Sequence, residues 1–269
     1  MNLRNKCREL ERILSAFGRI GIAFSGGVDS TFLAWFAKDK LGDSTTLFYA
    51  NSPFISAREH ENALRTAHWL GLRLEILDVD PLDSVEVREN PVDRCYFCKQ
   101  EVFGRILARA RELGIGTIAD GSHAGDSGYR PGKKALAELG VISPLAKAGF
   151  DKDEIRLLSR NAGIPIWNKP SQSCLATRVP YGKRLTKELL AKIEKAEDYL
   201  VRLGCVQIRV RVHDDLARIE AAPTDFDLLV SPDIRLRVSG HLGELGFAHT
   251  TVDLAGFRSG SWDKIVGKK

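Results

Sequence analysis

Apolar and polar positions change period several times along the chain, and each change marks an element. Leu3, Leu10, Ile13, Leu14 and Phe17 fall near one face of a helix over residues 2–17. Ile20-Gly21-Ile22-Ala23-Phe24 is apolar throughout and too short for a helix, so it reads as a strand buried on both faces. A glycine-bearing turn and a helix over 31–41 follow. Residues 45–50 read as a second strand. Ser56-Ala57-Arg58-Glu59 has the form of a capping box and opens a helix that runs to Leu70 and stops at Gly71. Residues 72–79 alternate as a third strand, 95–113 form a long helix closed by Gly114, and 117–120 make a fourth strand. Strands alternating with helices predict an α/β fold with a parallel sheet covered on both faces.

Asp151-Lys152-Asp153-Glu154 opens a further helix that ends near Asn161. The texture then changes in a polar, proline-bearing stretch, 168–180. We place a domain boundary there, giving a domain over 1–168 and a smaller α+β domain over 169–269. In the second, 186–203 is an amphipathic helix with Leu189, Leu190, Ile193, Ala196, Leu200 and Leu203 inward. Residues 206–212 alternate strictly, which predicts a half-buried strand with Arg209 and Arg211 on the face opposite the core. Residues 216–220 and 249–254 read as partner strands. No internal repeat or low-complexity tract interrupts the pattern.

Composition narrows the class. Of 269 residues, 43% are hydrophobic and 28% charged, which suits a globular chain with room for two cores. No apolar stretch is long enough to span a membrane, and the N-terminus is amphipathic in pattern, so a cytoplasmic location is expected. A net charge of +5 suits an anionic ligand but falls short of a nucleic-acid footprint, so no nucleic-acid partner is expected. Five cysteines, an odd number at uneven spacing, argue against a disulfide framework and towards metal or thiol chemistry for some of them.

The strongest chemical signal is Ser25-Gly26-Gly27-Val28-Asp29-Ser30, set between a strand and a helix. Glycines let the backbone approach phosphate oxygens, and successive N–H groups at a helix start then face the anion. Ser25 and Ser30 add hydroxyls. Asp29 would repel phosphate, so it is expected to hold Mg2+ or to orient the loop. No Gly-Lys-Ser/Thr follows, so this is not a Walker A loop. The segment Asp120–Gly132 follows the fourth strand and lies on the same sheet edge. There Gly121 permits close approach of a nucleotide, and Asp126 and Arg130 are candidates for metal and phosphate. Asn51, after the second strand, is a candidate adenine-side contact, and Ala23, in the strand that leads into the loop, is a further candidate for the ATP site.

Arg94-Cys95-Tyr96-Phe97-Cys98-Lys99 places two thiols at a helix start, and Ser171-Gln172-Ser173-Cys174 places a third near the domain boundary. Structural zinc needs four closed ligands, and no second Cys pair exists. A thioredoxin-like dithiol needs a different strand context. Cys7 and Cys205 sit in or beside apolar helical patterns and read as inert core thiols.

Ser25–Ser30 resembles the phosphate loop of the PP-loop ATP pyrophosphatase superfamily, whose members cleave ATP between the α- and β-phosphates and form adenylates. Asn90–Lys99 and Cys174–Gly182 resemble the LarE family, and the likeness extends from Gly21 to the tail Gly256–Ser261. The resemblance implies an ATP-dependent sulfur transferase. It implies thiolation of the carboxylates of a pyridinium-3,5-dicarboxylate mononucleotide, a small phosphorylated substrate, towards the nickel-pincer cofactor of lactate racemase. ATP, with Mg2+, is expected at Ala23, Ser25, Gly26, Gly27, Asp29, Ser30, Asn51, Gly121, Asp126 and Arg130. The resemblance further implies that Cys95, Cys98 and Cys174 hold a 4Fe–4S cluster with one iron left open. The alternative within the family is that Cys174 gives up its own sulfur. Arg178, four residues on, is a candidate to neutralise the substrate or lower the thiol pKa. By the same likeness Arg209 and Arg211 take the substrate phosphate, and Glu197 and Glu220 share a divalent cation. A homo-oligomer and contact with other nickel-pincer biosynthesis proteins are expected. Two rivals remain: a tRNA thiolase of the superfamily, and a non-enzymatic iron–sulfur or ATP sensor.

Overall fold

A computed structural model describes residues 2–126 and 131–258. The chain divides into two compact units, Met1–Ser84 with Asp93–Gln172, and Val85–Val92 with Ser173–Lys269. The short helix α4 (Val85–Arg88) therefore packs with the second unit, although it interrupts the first in sequence. Gly182 N–H donates to Asn90 O at 2.8 Å and Leu185 N–H to Arg88 O at 2.8 Å, which ties it there.

The first unit is a parallel sheet with helices on both faces. Its strands are β1 (Ile20–Ala23), β2 (Thr45–Asn51), β3 (Arg73–Asp78) and β4 (Ile118–Ala119), in the order β3-β2-β1-β4. The helices are α1 (Leu3–Ser15), α2 (Val28–Leu41), α3 (Ala57–Leu70), α5 (Arg94–Glu112), α6 (Pro131–Glu138), α7 (Pro144–Lys147) and α8 (Lys152–Asn161). Successive residues of β2 serve opposite layers, as a period of two requires. Leu47 and Tyr49 enter a core with Leu10, Phe32, Phe150 and Ile155, while Phe48 joins Phe103, Ile106 and Leu136 on the other face. Gly21 in β1 leaves room for that second layer, because a Cβ there would meet Ile118 and, at 2.6 Å, the Phe48 ring. Asp151 and Glu154 complete a reciprocal capping box at α8. At α3, Ser56 Oγ accepts the Glu59 N–H, while the Glu59 carboxylate pairs with Lys169.

The second unit packs α9 (Lys187–Arg202) on a sheet of β5 (Ile208–His213), β6 (Leu216–Ala221) and β7 (His249–Val252), with α10 (Pro223–Val230) and α11 (Pro232–Glu244). β5 and β6 are antiparallel, β6 and β7 parallel. Two expectations are corrected here. The strand starts at Ile208, leaving Val206 exposed, and it is buried along nearly its whole length. Arg209 and Arg211 are 3% and 5% exposed, so theirs is no solvent face. The helices α6, α10 and α11 fall in stretches without a strong helical period. Among the described residues no helix is long and apolar enough to cross a membrane.

Candidate functional site

The direction of sheet growth reverses at β1, since β2 and β3 lie on one side and β4 on the other. Loops leaving β1 and β4 thus flank the crevice where open α/β sheets bind ligands. The loop after β1 is Phe24–Gly27. Gly26 has φ +68°, and a Cβ there would lie 2.6 Å from the Cα of Ala63 on α3, so both backbone shape and packing require glycine. Gly27 caps α2 without a side-chain hydrogen bond, which leaves the first-turn N–H groups facing outward with the positive end of the helix dipole. The two serines brace the turn. Their hydroxyls lie 3.1 Å apart, Ser30 Oγ accepts the Ser25 N–H at 3.2 Å and donates to Gly27 O at 3.2 Å, and Ser25 Oγ accepts the Gly27 N–H at 3.3 Å.

Two lysines that the sequence reading did not single out hold this loop. Lys152 Nζ contacts both oxygens of Asp29, at 2.7 and 2.6 Å. Lys169 Nζ donates to Gly26 O at 3.3 Å and pairs with Glu59 at 2.8 Å. Lys152 carries a legible signal. A cation at the first position of a helix opposes the dipole, which implies an acidic partner nearby. Lys169 lies in a polar stretch and carries no such mark.

On the β4 side, Asp120 is buried and accepts from Ser143 Oγ at 2.6 Å and from Ser122 Oγ. Gly121 is needed for contact with the protein itself, since a Cβ there would lie 2.8 Å from Ser30 N at the start of α2. Asp126 Oδ2 accepts the His123 N–H at 3.1 Å and orders the loop. Asn51 donates to Asp78 Oδ1 at 2.8 Å across β2 and β3, and Ala23 ends β1 immediately before the loop. Arg130 lies outside the described residues.

Cys95 and Cys98 occupy the first turn of α5, three residues apart and therefore on one face. Both are partly exposed, and Arg94 Nη2 lies 3.8 Å from Cys95 Sγ. α6 packs against this turn, with Gly132 positioned so that a Cβ would lie 3.4 Å from Cys95 O. Cys7 and Cys205 differ. Burial raises both pKa values, that of Cys205 to about 11, so these thiols stay protonated.

Cys174 belongs to the second unit, just before a 3-10 turn, Leu175–Arg178. Its carbonyl accepts from Thr177 N at 3.0 Å, Thr177 Oγ1 at 2.7 Å and Arg178 Nη1 at 3.1 Å. Arg178 is 2% exposed and forks onto Glu197 at 2.8 and 2.9 Å, and its Nη1 also donates to Ser173 O and Ser173 Oγ. Its guanidinium fixes the backbone that carries the thiol. Glu197 Oε1 also accepts the Val210 N–H at 2.9 Å.

Pairing of β5 with β6 sets Arg209 opposite Glu220 and Arg211 opposite Arg218. Glu220 bonds Arg211 and Arg218, each at 3.0 Å, and Arg209 lies over the Phe257 ring at 5.1 Å. Arg211 also donates to Thr177 O, so this face is covered by the thiol-bearing segment. Burial first, and then the charge of Arg218, lower the pKa of His213. The two glutamates expected to share a cation are thus each engaged by arginines. Among the described residues no three His, Cys, Asp or Glu side chains group to hold a metal ion.

A glycine-rich loop at the β1 switch point, without the lysine of a Walker loop, defines an α/β protein of the PP-loop class. A tRNA-specific 2-thiouridylase of Halothermothrix orenii is 28% identical over 56% of the chain and 53% of its own length. Two relatives match end to end. An uncharacterised protein of Synechocystis sp. is 38% identical over 99% of the chain and all of its own length. The pyridinium-3,5-bisthiocarboxylic acid mononucleotide synthase of Lactiplantibacillus plantarum is 37% identical over 99% of the chain and 96% of its own length. No family model matches the chain. The chain belongs to the LarE family of sulfur-transferring enzymes in the PP-loop superfamily.

Proposed function

We propose that this enzyme uses ATP to adenylate the carboxylates of pyridinium-3,5-biscarboxylic acid mononucleotide and converts them to thiocarboxylates for nickel-pincer cofactor synthesis. The observation that carries the ATP reading is the loop itself, with Gly26 fixed at positive φ, the α2 N-terminus open, and Asp29 neutralised by Lys152. The end-to-end likeness to the L. plantarum synthase supports the substrate.

In the first step a substrate carboxylate oxygen attacks the α-phosphorus of ATP, the bond to the β-phosphate oxygen breaks, and pyrophosphate leaves. N–H groups at the start of α2, the Ser25 and Ser30 hydroxyls and Lys152 stabilise charge on the phosphates. The resulting acyl-adenylate is an electrophile that the free carboxylate is not. In the second step a sulfur nucleophile adds to the acyl carbon and AMP leaves, giving the thiocarboxylate. Guanidinium groups fork onto phosphate oxygens, but Arg209 and Arg211 are buried against Phe257, Glu220 and Thr177 O, so they take the substrate phosphate only if those contacts are exchanged for it.

Two groups complete the reading. Asp29 is the carboxylate next to the phosphate cradle, but Lys152 engages both of its oxygens, so it would hold Mg2+ only after giving up that ion pair. Cys95 and Cys98, one helix turn apart, and Cys174 are the thiols that would hold a 4Fe–4S cluster, whose irons take thiolate ligands. Such a cluster supplies transferable sulfide when bound. The test is anaerobic incubation with ATP and substrate, followed by nucleotide analysis and intact mass. Substrate-dependent pyrophosphate and AMP support the reading, and their absence refutes it. Unchanged protein mass favours cluster sulfur, whereas loss of about 34 Da at Cys174 means the residue's own sulfur was consumed.

A further inference from the structure

We propose that Asp78 is a positioning residue that fixes the Asn51 side-chain amide so that its oxygen, and not its nitrogen, meets the purine, which selects ATP over nucleotides carrying a 6-oxo group. The proposal rests on the ATP reading argued above and deepens it. All the residues concerned lie in the first unit. β2 and β3 are parallel and pair Asn51 with Asp78 at their C-terminal ends, on the sheet edge from which the phosphate loop leaves. Tyr49 and Asn51 lie two positions apart on β2 and share one face of the sheet. That face carries α2 and α3, since Tyr49 packs in the core with Phe32 of α2 and its hydroxyl lies 3.2 Å from His60 Nδ1 on α3. About one turn beyond His60, Ala63 backs the phosphate loop at Gly26. Phe48 is in register with Ala23, so Asn51 stands three residues, about 10 Å, further along its strand than the end of β1. That is the scale of the ribose and base that separate an α-phosphate from a purine 6-substituent.

The direction of the amide follows from what Asp78 can offer. A carboxylate accepts hydrogen bonds and donates none, so the Asn51 nitrogen must face it, and it donates to Asp78 Oδ1 at 2.8 Å. The amide oxygen is thereby turned away from Asp78, and among the described residues it takes no donor. Asn51 is half-buried and Asp78 exposed, so the pair is open to a ligand. Adenine presents an amino group at C6, a donor for that oxygen. A 6-oxo purine presents an acceptor there, and two acceptors face to face leave both without a proton. Without Asp78, a half-turn of the amide presents its nitrogen instead and the preference disappears. Asn51 reads the base, and Asp78 decides which end of the amide does so.

Calorimetric titration of the full chain with ATP, inosine triphosphate and 2′-deoxy-ATP, each with Mg2+, tests this. Inosine triphosphate carries the 6-oxo edge without the 2-amino group of guanine, so it isolates the contact. Asp78→Ala tightens inosine triphosphate about tenfold, the size of one hydrogen bond gained, and shifts ATP by less than about threefold. Asp78→Glu, still an acceptor, keeps most of the wild-type preference. In an Asn51→Ala background, which has no amide to orient, Asp78→Ala leaves the ratio of the two affinities unchanged. A merely structural role would weaken both nucleotides alike and strengthen neither. An Asp78→Ala ratio equal to that of the wild type overturns the proposal, as does a ratio that Asp78→Ala still alters in the Asn51→Ala background. Equal weakening of ATP and inosine triphosphate, with 2′-deoxy-ATP unaffected, puts Asp78 on the ribose and overturns it too. Each of these results leaves the ATP reading standing, because the wild type binds ATP in all of them. A wild type that binds no ATP refutes that reading and this inference with it.

Discussion

Replacing Arg178 with Met is expected to damage the second unit more than any surface substitution, and the contacts indicate by how much. Arg178 and Glu197 are 2% and 7% exposed at their side chains and share two hydrogen bonds of 2.8 and 2.9 Å. Removing the guanidinium leaves Glu197 buried without its counter-charge, which costs about 3–5 kcal/mol. The bonds to Ser173 O and Cys174 O are lost as well, at about 1 kcal/mol each. In a unit of about 100 residues, 3 kcal/mol lowers the melting temperature by roughly 12 °C or more. The double substitution Arg178→Met with Glu197→Met removes both charges together. It should cost less than the two single changes combined, with a coupling of about 2 kcal/mol. Urea unfolding of the four proteins, followed by exchange of peptides within residues 173–213, reads the second unit separately. Single variants within about 1 kcal/mol of wild type, or strictly additive costs, would show that the pair does not hold the Cys174 turn.

Other expected outcomes follow from the phosphate loop and the buried thiols. Lys152→Gln leaves Asp29 uncompensated beside the cradle, so ATP binding without Mg2+ weakens. Asp29→Asn tightens it, and the double variant returns near wild type, by calorimetry. A unit charge at about 6 Å and an effective dielectric of about 40 gives a factor of roughly ten per step, whereas a purely structural pair would weaken binding in both single variants. Gly26→Ala forces a side chain into positive φ and onto Ala63, so ATP binding should fall more than about tenfold, a loss of roughly 1.4 kcal/mol. Cys205 has its pKa raised from 9.0 to about 11 by burial, so its contribution to stability is complete below pH 9 and lost as pH rises towards 11. Denaturant titrations across that window should show the decline, and Cys205→Ala should flatten it.

The sequence made the first unit legible because its signals are local. A short apolar run, two glycines and a helix start lie within about a dozen residues, and so do Asp151 and Glu154 at the α8 cap. What escaped depends on distance along the chain. Lys152 meets Asp29 across 123 positions, and Lys169 meets Gly26 across 143. Arginines alternating with valines on β5 read as a solvated face. They are buried because Glu220 on β6 supplies a counter-charge and Thr177 O an acceptor, neither visible in the strand's own pattern. For α10 and α11, Pro223 and Pro232 at the first helical positions were the available marks. Few apolar residues of either are buried, so the helical period is faint. Val85–Val92 joins the second unit through backbone hydrogen bonds, which composition does not reveal.

The most direct measurement is of reaction stoichiometry. The anaerobically purified chain is incubated with ATP and pyridinium-3,5-biscarboxylic acid mononucleotide, and pyrophosphate, AMP and thiocarboxylate are quantified together. Adenylation followed by sulfur transfer predicts one pyrophosphate and one AMP for each thiocarboxylate formed, with none released when the carboxylate is omitted. Thiocarboxylate formed without pyrophosphate, or pyrophosphate released only with tRNA, would contradict it.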